Sequence, residues 1–178
     1  MSERHNGGTL RDGGENLVWI FGSSRSGSTW LLRMLSQLQG VVPIDDPHLG
    51  HHLGVWRPIA LAWATAEEPP ELRTLTDFKR QKRDYLLSDR YRERWLPALR
   101  ELVRVRFEAQ ADEDCVARDI SEPVVVVKEP ASQVAELLLE LFPSSRVIFL
   151  LRDGRDVVDS WVDGYRDGTW AHQGGAYP

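Results

Sequence analysis

Leu17-Val18-Trp19-Ile20-Phe21-Gly22-Ser23-Ser24-Arg25-Ser26-Gly27-Ser28-Thr29-Trp30-Leu31-Leu32 is the stretch whose reading decides the fold. It opens on a continuous apolar run, the pattern of a strand covered on both faces of a sheet. Small residues follow, and then the start of a helix. A strand, a small-residue loop and a helix start together make an anion cradle, because backbone N–H groups and the positive end of the helix converge on one point. The spacing matches the nucleotide-hydrolase loop G-x-x-x-x-G-K-[ST] at Gly22, Gly27 and Thr29, but Ser28 stands where the lysine belongs. The basic group is Arg25, inside the loop. That lysine reaches the β/γ-phosphates in γ-phosphoryl transfer, so the loop predicts a phosphate-like anion without ordinary ATP or GTP hydrolysis.

Working outward, residues 17–21, 41–44, 124–127 and 146–151 are short apolar runs that read as buried parallel strands. Residues 28–39 carry Trp30, Leu31, Met34, Leu35 and Leu38 on one helical face, with Gly40 as the stop. Residues 132–142 carry Val134, Leu137, Leu138 and Leu141 at helical spacing, and Pro143 closes that helix. The alternation predicts an α/β fold: a parallel sheet of about four strands flanked by helices. Residues 51–114 contain no strand-like run. There Leu87, Tyr91, Trp95, Leu99, Val103 and Phe107 recur at four-residue intervals, which predicts amphipathic helix split or kinked at Pro97. We read this segment as a helical insertion that could form an acceptor pocket or lid. Residues 1–16 read as a disordered leader, 17–165 as the α/β domain and 166–178 as a flexible tail.

With 178 residues the chain suits one domain with a real core. A net charge of −5 argues against nucleic acid as partner, while still allowing a few placed arginines to hold an anionic nucleotide. The single cysteine, Cys115, precludes an intrachain disulfide and fits a reducing compartment, and it reads as a packed thiol rather than a nucleophile. No run approaches the roughly 18 apolar residues of a membrane span, and the polar N-terminus is not a secretory signal, so the expectation is a cytoplasmic protein away from membranes.

The run Arg25-Ser26-Gly27-Ser28-Thr29-Trp30 resembles the 5′-phosphosulfate loop of sulfotransferases. A second signature of that family is an arginine at a strand end with a serine eight residues later, and Arg152 and Ser160 reproduce it within residues 146–160. The resemblance covers roughly residues 17–165. It implies 3′-phosphoadenosine 5′-phosphosulfate as co-substrate, with no metal. Residues 25–30 would take the 5′ side: Arg25 the bridging oxygen and sulfuryl group, the Ser26–Thr29 N–H groups and the Ser28 and Thr29 hydroxyls the 5′-phosphate. Arg152 and Ser160 would take the 3′-phosphate. Lys128 matches a lysine that contacts the sulfuryl group. The family's further C-terminal strand and basic loop find no counterpart here. That predicts a domain cut short, or one whose nucleotide site is completed by another copy or partner.

The general base has two candidates, since a base must reach the acceptor proton directly or through one water. Asp46 follows the second strand, and Glu129 follows the third, where Pro130 occupies the family's histidine position. Asp46 is narrowly favoured, and either carboxylate could instead cap a turn. His48, His51 and His52 lie close by, but without a cysteine or four spaced ligands they read as acceptor-lining or solvent-facing rather than as a metal site. The acceptor class, a small molecule or carbohydrate bearing a hydroxyl or amine, is not set by these residues. Two other readings stand beside sulfuryl transfer: a P-loop nucleotide kinase or related phosphotransferase, and a shortened nucleotide-binding module without turnover.

Overall fold

Valine, isoleucine and phenylalanine dominate the strands because branched and aromatic side chains fit a pleated surface packed on both sides. In the computed structural model, which describes residues 9–54, 71, 77, 80–164, 166, 168 and 169, β1 (Leu17–Gly22), β2 (Val41–Asp45), β3 (Val124–Lys128) and β4 (Arg146–Leu150) form one parallel sheet in the order β2-β3-β1-β4. The expected α/β class and strand number are what the structure contains. β1 is central, pairing Leu17 to Ile20 with Val125 to Lys128 on one side and Val18 to Gly22 with Arg146 to Leu150 on the other. Pro43 lies in β2, at the sheet edge, where a missing ladder N–H is tolerated.

Alternation along the strands divides the core into two layers. On one face Ile20, Val41 and Val126 pack with Leu32 of α1 (Ser28–Leu35), beside Leu31, Leu35, Ile148 and Leu150. On the other, Trp19, Phe21, Val42, Ile44, Val125 and Val127 meet Leu99, Val103, Phe107 and Ala111 of one long helix. Trp19 anchors this layer, with ring centroids 6.1 Å from Phe21, 5.8 Å from Phe107 and 6.2 Å from Phe142. Its buried indole N–H donates to Ser145 Oγ at 3.0 Å, which satisfies the ring's polar edge.

Between β2 and that long helix lie α2 (Leu49–His52) and a short 3₁₀ turn, Asp89–Tyr91. The long helix, α3 (Arg92–Arg118), is not split at Pro97, the first of the two outcomes expected there: it runs through 27 residues with the proline inside. A proline removes one backbone hydrogen bond there, whereas the buried stripe of Leu99, Val103, Phe107 and Ala111 holds the helix against the sheet. This half of the supposed insertion is therefore the crossover that covers the sheet, not a lid. Most of residues 55–79 lies outside the described residues. α4 (Ala135–Leu141) follows a 3₁₀ turn at Ser132–Val134, and α5 (Gly154–Gly164) follows β4.

Three further expectations change. α1 ends at Leu35 rather than 39: the Ser36 hydroxyl bonds back to the Arg33 carbonyl at 2.7 Å, and the Arg118 guanidinium donates to the Val41 and Ser36 carbonyls at 2.6 and 3.3 Å. The supposed leader is built into the domain from residue 9. Leu10 is buried in the core, and Asn16 Nδ2 donates to the Thr9 and Pro123 carbonyls at 2.8 and 2.9 Å. β4 is an edge strand that half-buries Ile148 and Leu150 against the α1 layer but leaves Val147 and Phe149 43% and 55% exposed. Residues 1–8 and most of 165–178 lie outside the description.

Candidate active site

Because all four strands are parallel, their carboxyl ends, Gly22, Asp45, Lys128 and Leu150, lie along one edge of the sheet. Ligands of open α/β sheets bind outside this edge. The loops that carry the predicted residues all leave from it.

After β1 the chain turns tightly. Ser26 N–H donates to the Ser23 carbonyl at 3.0 Å, and Arg25 and Gly27 take left-handed φ angles of 69° and 97°. Gly27 is the N-cap of α1 and offers no side-chain acceptor. The first N–H groups of a helix have no partner within it, so those of Ser28, Thr29 and Trp30 are available to a ligand. A Cβ added to Gly27 would meet nothing within 4 Å, so the space before the helix is open. Ser28 and Thr29 are half-buried and Trp30 is 67% exposed. Ser26 Oγ is buried and has no hydrogen-bond partner among the described residues, a polar atom that a ligand oxygen could satisfy. A Cβ on Gly22 would lie 2.6 Å from that oxygen and 3.1 Å from the Leu150 carbonyl. Gly22→Ala is thus expected to lower stability by about 1–3 kcal/mol through overpacking, read as the midpoint of urea unfolding.

The structure brings the two distant signatures together. Arg152 Nη1 donates to the Arg25 carbonyl at 2.9 Å, and Arg25 Nε donates to Ser160 Oγ at 2.9 Å. Asp153 caps α5 by accepting from Arg155 N–H at 2.9 Å, as its place before the helix predicts. Arg155 also pairs with Asp153, and its guanidinium, the largest influence, holds that carboxyl below the usual carboxylate range. Ser160, which with Arg152 was expected to face the 3′-phosphate, accepts its hydrogen bond from Arg25. Ser160 sits roughly 12 Å along the helix from the strand end, and Arg152 is held back at the loop carbonyl.

At the other strand ends, Lys128 is buried and its Nζ lies 3.0 Å from Asp45 Oδ1 and 2.7 Å from Asp46 Oδ2. Register explains this, since Asp45 pairs with Lys128 across the β2–β3 ladder and Asp46 N–H donates to the Lys128 carbonyl at 3.1 Å. Asp46 itself has a left-handed φ of 44°. Its other oxygen, Oδ1, is buried without a partner among the described residues. Glu129 is only 1% exposed. Its Oε2 accepts from Leu49 N–H at 2.8 Å and its Oε1 from Ala131 N–H at 3.1 Å. Burial pushes its carboxyl above the usual carboxylate range, an effect opposed by the Leu49, Ala131 and Gly50 N–H groups and supported by the nearby charge of Asp46. The two carboxylates considered as bases are therefore unlike: Asp46 borders the lysine with one oxygen uncommitted, whereas both oxygens of Glu129 are engaged by backbone.

Sequence reasoning missed Asp45 as a partner of Lys128, and it missed the anchoring of Glu129. Strand alternation was the available signal, because Val127, Lys128 and Glu129 must point to successive opposite faces. Cys115 is half-buried, and burial raises its thiol pKa, as fits a packed side chain. Among the described residues no three or more His, Cys, Asp or Glu side chains are grouped to hold a metal ion, and no helix is long and apolar enough to cross a membrane.

A parallel sheet with a phosphate-type loop after its central strand, and an arginine and serine from a later strand and helix set against that loop, defines a P-loop-like α/β domain. The Sulfotransferase family profile matches residues 18–174, and the chain belongs to that family. A comparison with curated proteins finds no match.

Proposed function

We propose that the chain transfers a sulfuryl group from 3′-phosphoadenosine 5′-phosphosulfate to a hydroxyl or amine. The observation that carries this reading is the junction of Arg25, Arg152 and Ser160, which joins two signatures 127 residues apart at one edge of the sheet. The orphaned Ser26 hydroxyl and the open space at Gly27 fit a phosphate-type anion.

In this proposal the N–H groups of Ser28 to Trp30 and the hydroxyls of Ser26, Ser28 and Thr29 hold the 5′-phosphate end. Oriented dipoles of this kind cost no reorganisation as charge develops. Arg152 holds the 3′-phosphate, and the Arg25–Ser160 pair ties helix α5 to the loop so that both phosphate subsites keep their spacing. Trp30 offers an exposed aromatic surface beside the loop. The bound donor supplies the electrophilic sulfur: the acceptor oxygen or nitrogen forms its bond to sulfur while the bond from sulfur to the bridging oxygen breaks, leaving the electron pair on the bisphosphate. Lys128 places positive charge by the sulfuryl group. Asp46 takes the acceptor's proton and Asp45 keeps Lys128 at the site. Glu129, whose oxygens are occupied, is not the base.

Calorimetry with adenosine 3′,5′-bisphosphate tests the reading. The expected result is saturable binding without Mg²⁺, stronger than that of ATP with Mg²⁺. Tighter binding of ATP–Mg²⁺ would overturn it in favour of a phosphotransferase. Binding of the bisphosphate without transfer to any hydroxyl or amine in a screen would reduce the chain to a nucleotide-binding module.

A further inference from the structure

We infer that Glu129 is a positioning residue, whose buried carboxylate fixes the turn carrying Asp46 by pinning the helix that follows it. This rests on the reading of Asp46 as the base. Asp46 and His48 both take left-handed φ angles, 44° and 52°, on either side of Pro47. A non-glycine residue in that conformation costs about 1–2 kcal/mol, so a turn with two of them persists only where its surroundings hold it. On its strand side the turn is held by the Asp46 N–H bond to the Lys128 carbonyl. On its far side it runs directly into α2, and Glu129 Oε2 accepts the first N–H of that helix, at Leu49.

The same carboxylate is fixed in turn. Oε1 takes the Ala131 N–H, and the Glu129 N–H donates to the Ile20 carbonyl of the central strand at 3.1 Å. Close packing reinforces the contact, because a Cβ on Gly50 would lie 2.5 Å from the Ala131 Cβ. α2 therefore sits directly on the loop after β3. Lys128 and Glu129, adjacent in the chain and pointing to opposite faces, grip the two ends of one strained turn: Lys128 through the Asp45 and Asp46 side chains, Glu129 through the Leu49 backbone. A carboxyl group is suited to this task, having lone pairs for several N–H donors at once. Burying it costs stability unless those bonds are made, which ties its retention to the position of the turn.

The test compares Glu129→Gln and Glu129→Leu with the parent chain. Glutamine keeps one acceptor oxygen, and leucine keeps the bulk and none. With backbone N–H groups left unpaired and the base displaced, kcat is expected to fall about tenfold in E129Q and about a hundredfold in E129L. Bisphosphate affinity should stay within about twofold of the parent, since the donor residues lie on other loops, whereas general loss of structure would weaken it as well. In the double variant with Asp46→Asn, the E129Q loss should vanish, as the displaced group is already inactive. If E129L does not fold, E129Q carries the test. Unchanged kcat in E129Q, or losses that multiply with those of D46N, would overturn the inference. Amide exchange in the free chain gives a second reading: the Leu49 and Gly50 amides should exchange faster in E129Q, and unchanged exchange would equally overturn it. That measurement needs no acceptor, so a chain without turnover refutes the sulfotransferase reading while the hold of Glu129 on the turn is still decided.

Discussion

Arg152→Ala is expected to remove most of the thermal stabilisation that adenosine 3′,5′-bisphosphate gives the parent chain. Arg152 is the basic group of the second signature, and its side chain is 39% exposed with one nitrogen on the loop carbonyl of Arg25. Its loss takes away the charge proposed for the 3′-phosphate and a brace on the left-handed Arg25 turn. A hydrogen bond to a charged group contributes about 1.5–3 kcal/mol, so affinity should weaken about 10- to 100-fold. At a ligand concentration of about 100 times the parent Kd, binding stabilises by about 2.7 kcal/mol; a hundredfold weaker site leaves about 0.4 kcal/mol, a shift close to the noise of a melting curve. Arg152→Lys keeps the charge but not the planar fork and should fall between. Arg155→Ala is the control: its side chain is 89% exposed, it pairs only with Asp153 among the described residues, and surface pairs of this kind contribute little. A full thermal shift in R152A would remove the ground for placing a phosphate at this strand end.

The sequence carried the loop after β1 further than the ends of β2 and β3, and the reason is physical. Gly22, Arg25, Gly27 and Thr29 form a local pattern in which a strand, a loop and a helix N-terminus follow each other without interruption, so short-range rules place them. Asp153 and the start of α5 were legible for the same reason. What no local rule contains is the pairing of strands. The contact between Lys128 and Asp45 depends on β2 lying beside β3 in a particular register, and the junction of Arg25 with Ser160 depends on β4 lying beside β1. The fate of Pro97 is a matter of competition rather than of pattern, as tertiary burial of α3 outweighs one lost backbone bond. Glu129 was hard to read for a related reason: a carboxylate beside a lysine at a strand end suggests proton transfer, and only the fold shows that its oxygens accept backbone N–H groups, one from α2 and one from its own loop.

Asp46→Asn is expected to lower kcat by about 10²–10⁴-fold, the usual contribution of a positioned acid or base, in an assay with an acceptor found by the hydroxyl and amine screen. The substitution changes little else. An amide of the same shape keeps an oxygen for Lys128, and Asp45 still holds the ammonium at 3.0 Å, so the lysine retains an acidic partner. Bisphosphate affinity should therefore stay near that of the parent, and the deficit should fall on kcat rather than on donor KM. The competing account is that Asp46 serves only to neutralise Lys128. On that account Asp45→Asn and Asp46→Asn should be equally harmful, because the two carboxylates approach Nζ at similar distances, 3.0 and 2.7 Å. Their surroundings separate them. The Asp45 side chain is 51% exposed and that of Asp46 26%, and Asp46 alone of the two has an oxygen that is buried with no partner among the described residues. If that oxygen accepts the proton, D45N should lose no more than about 10- to 100-fold, the size of one hydrogen bond to a charge, while D46N loses at least ten times more. Equal losses in the two variants would leave Asp46 as a counter-ion and return the search for a base to the histidines that follow it.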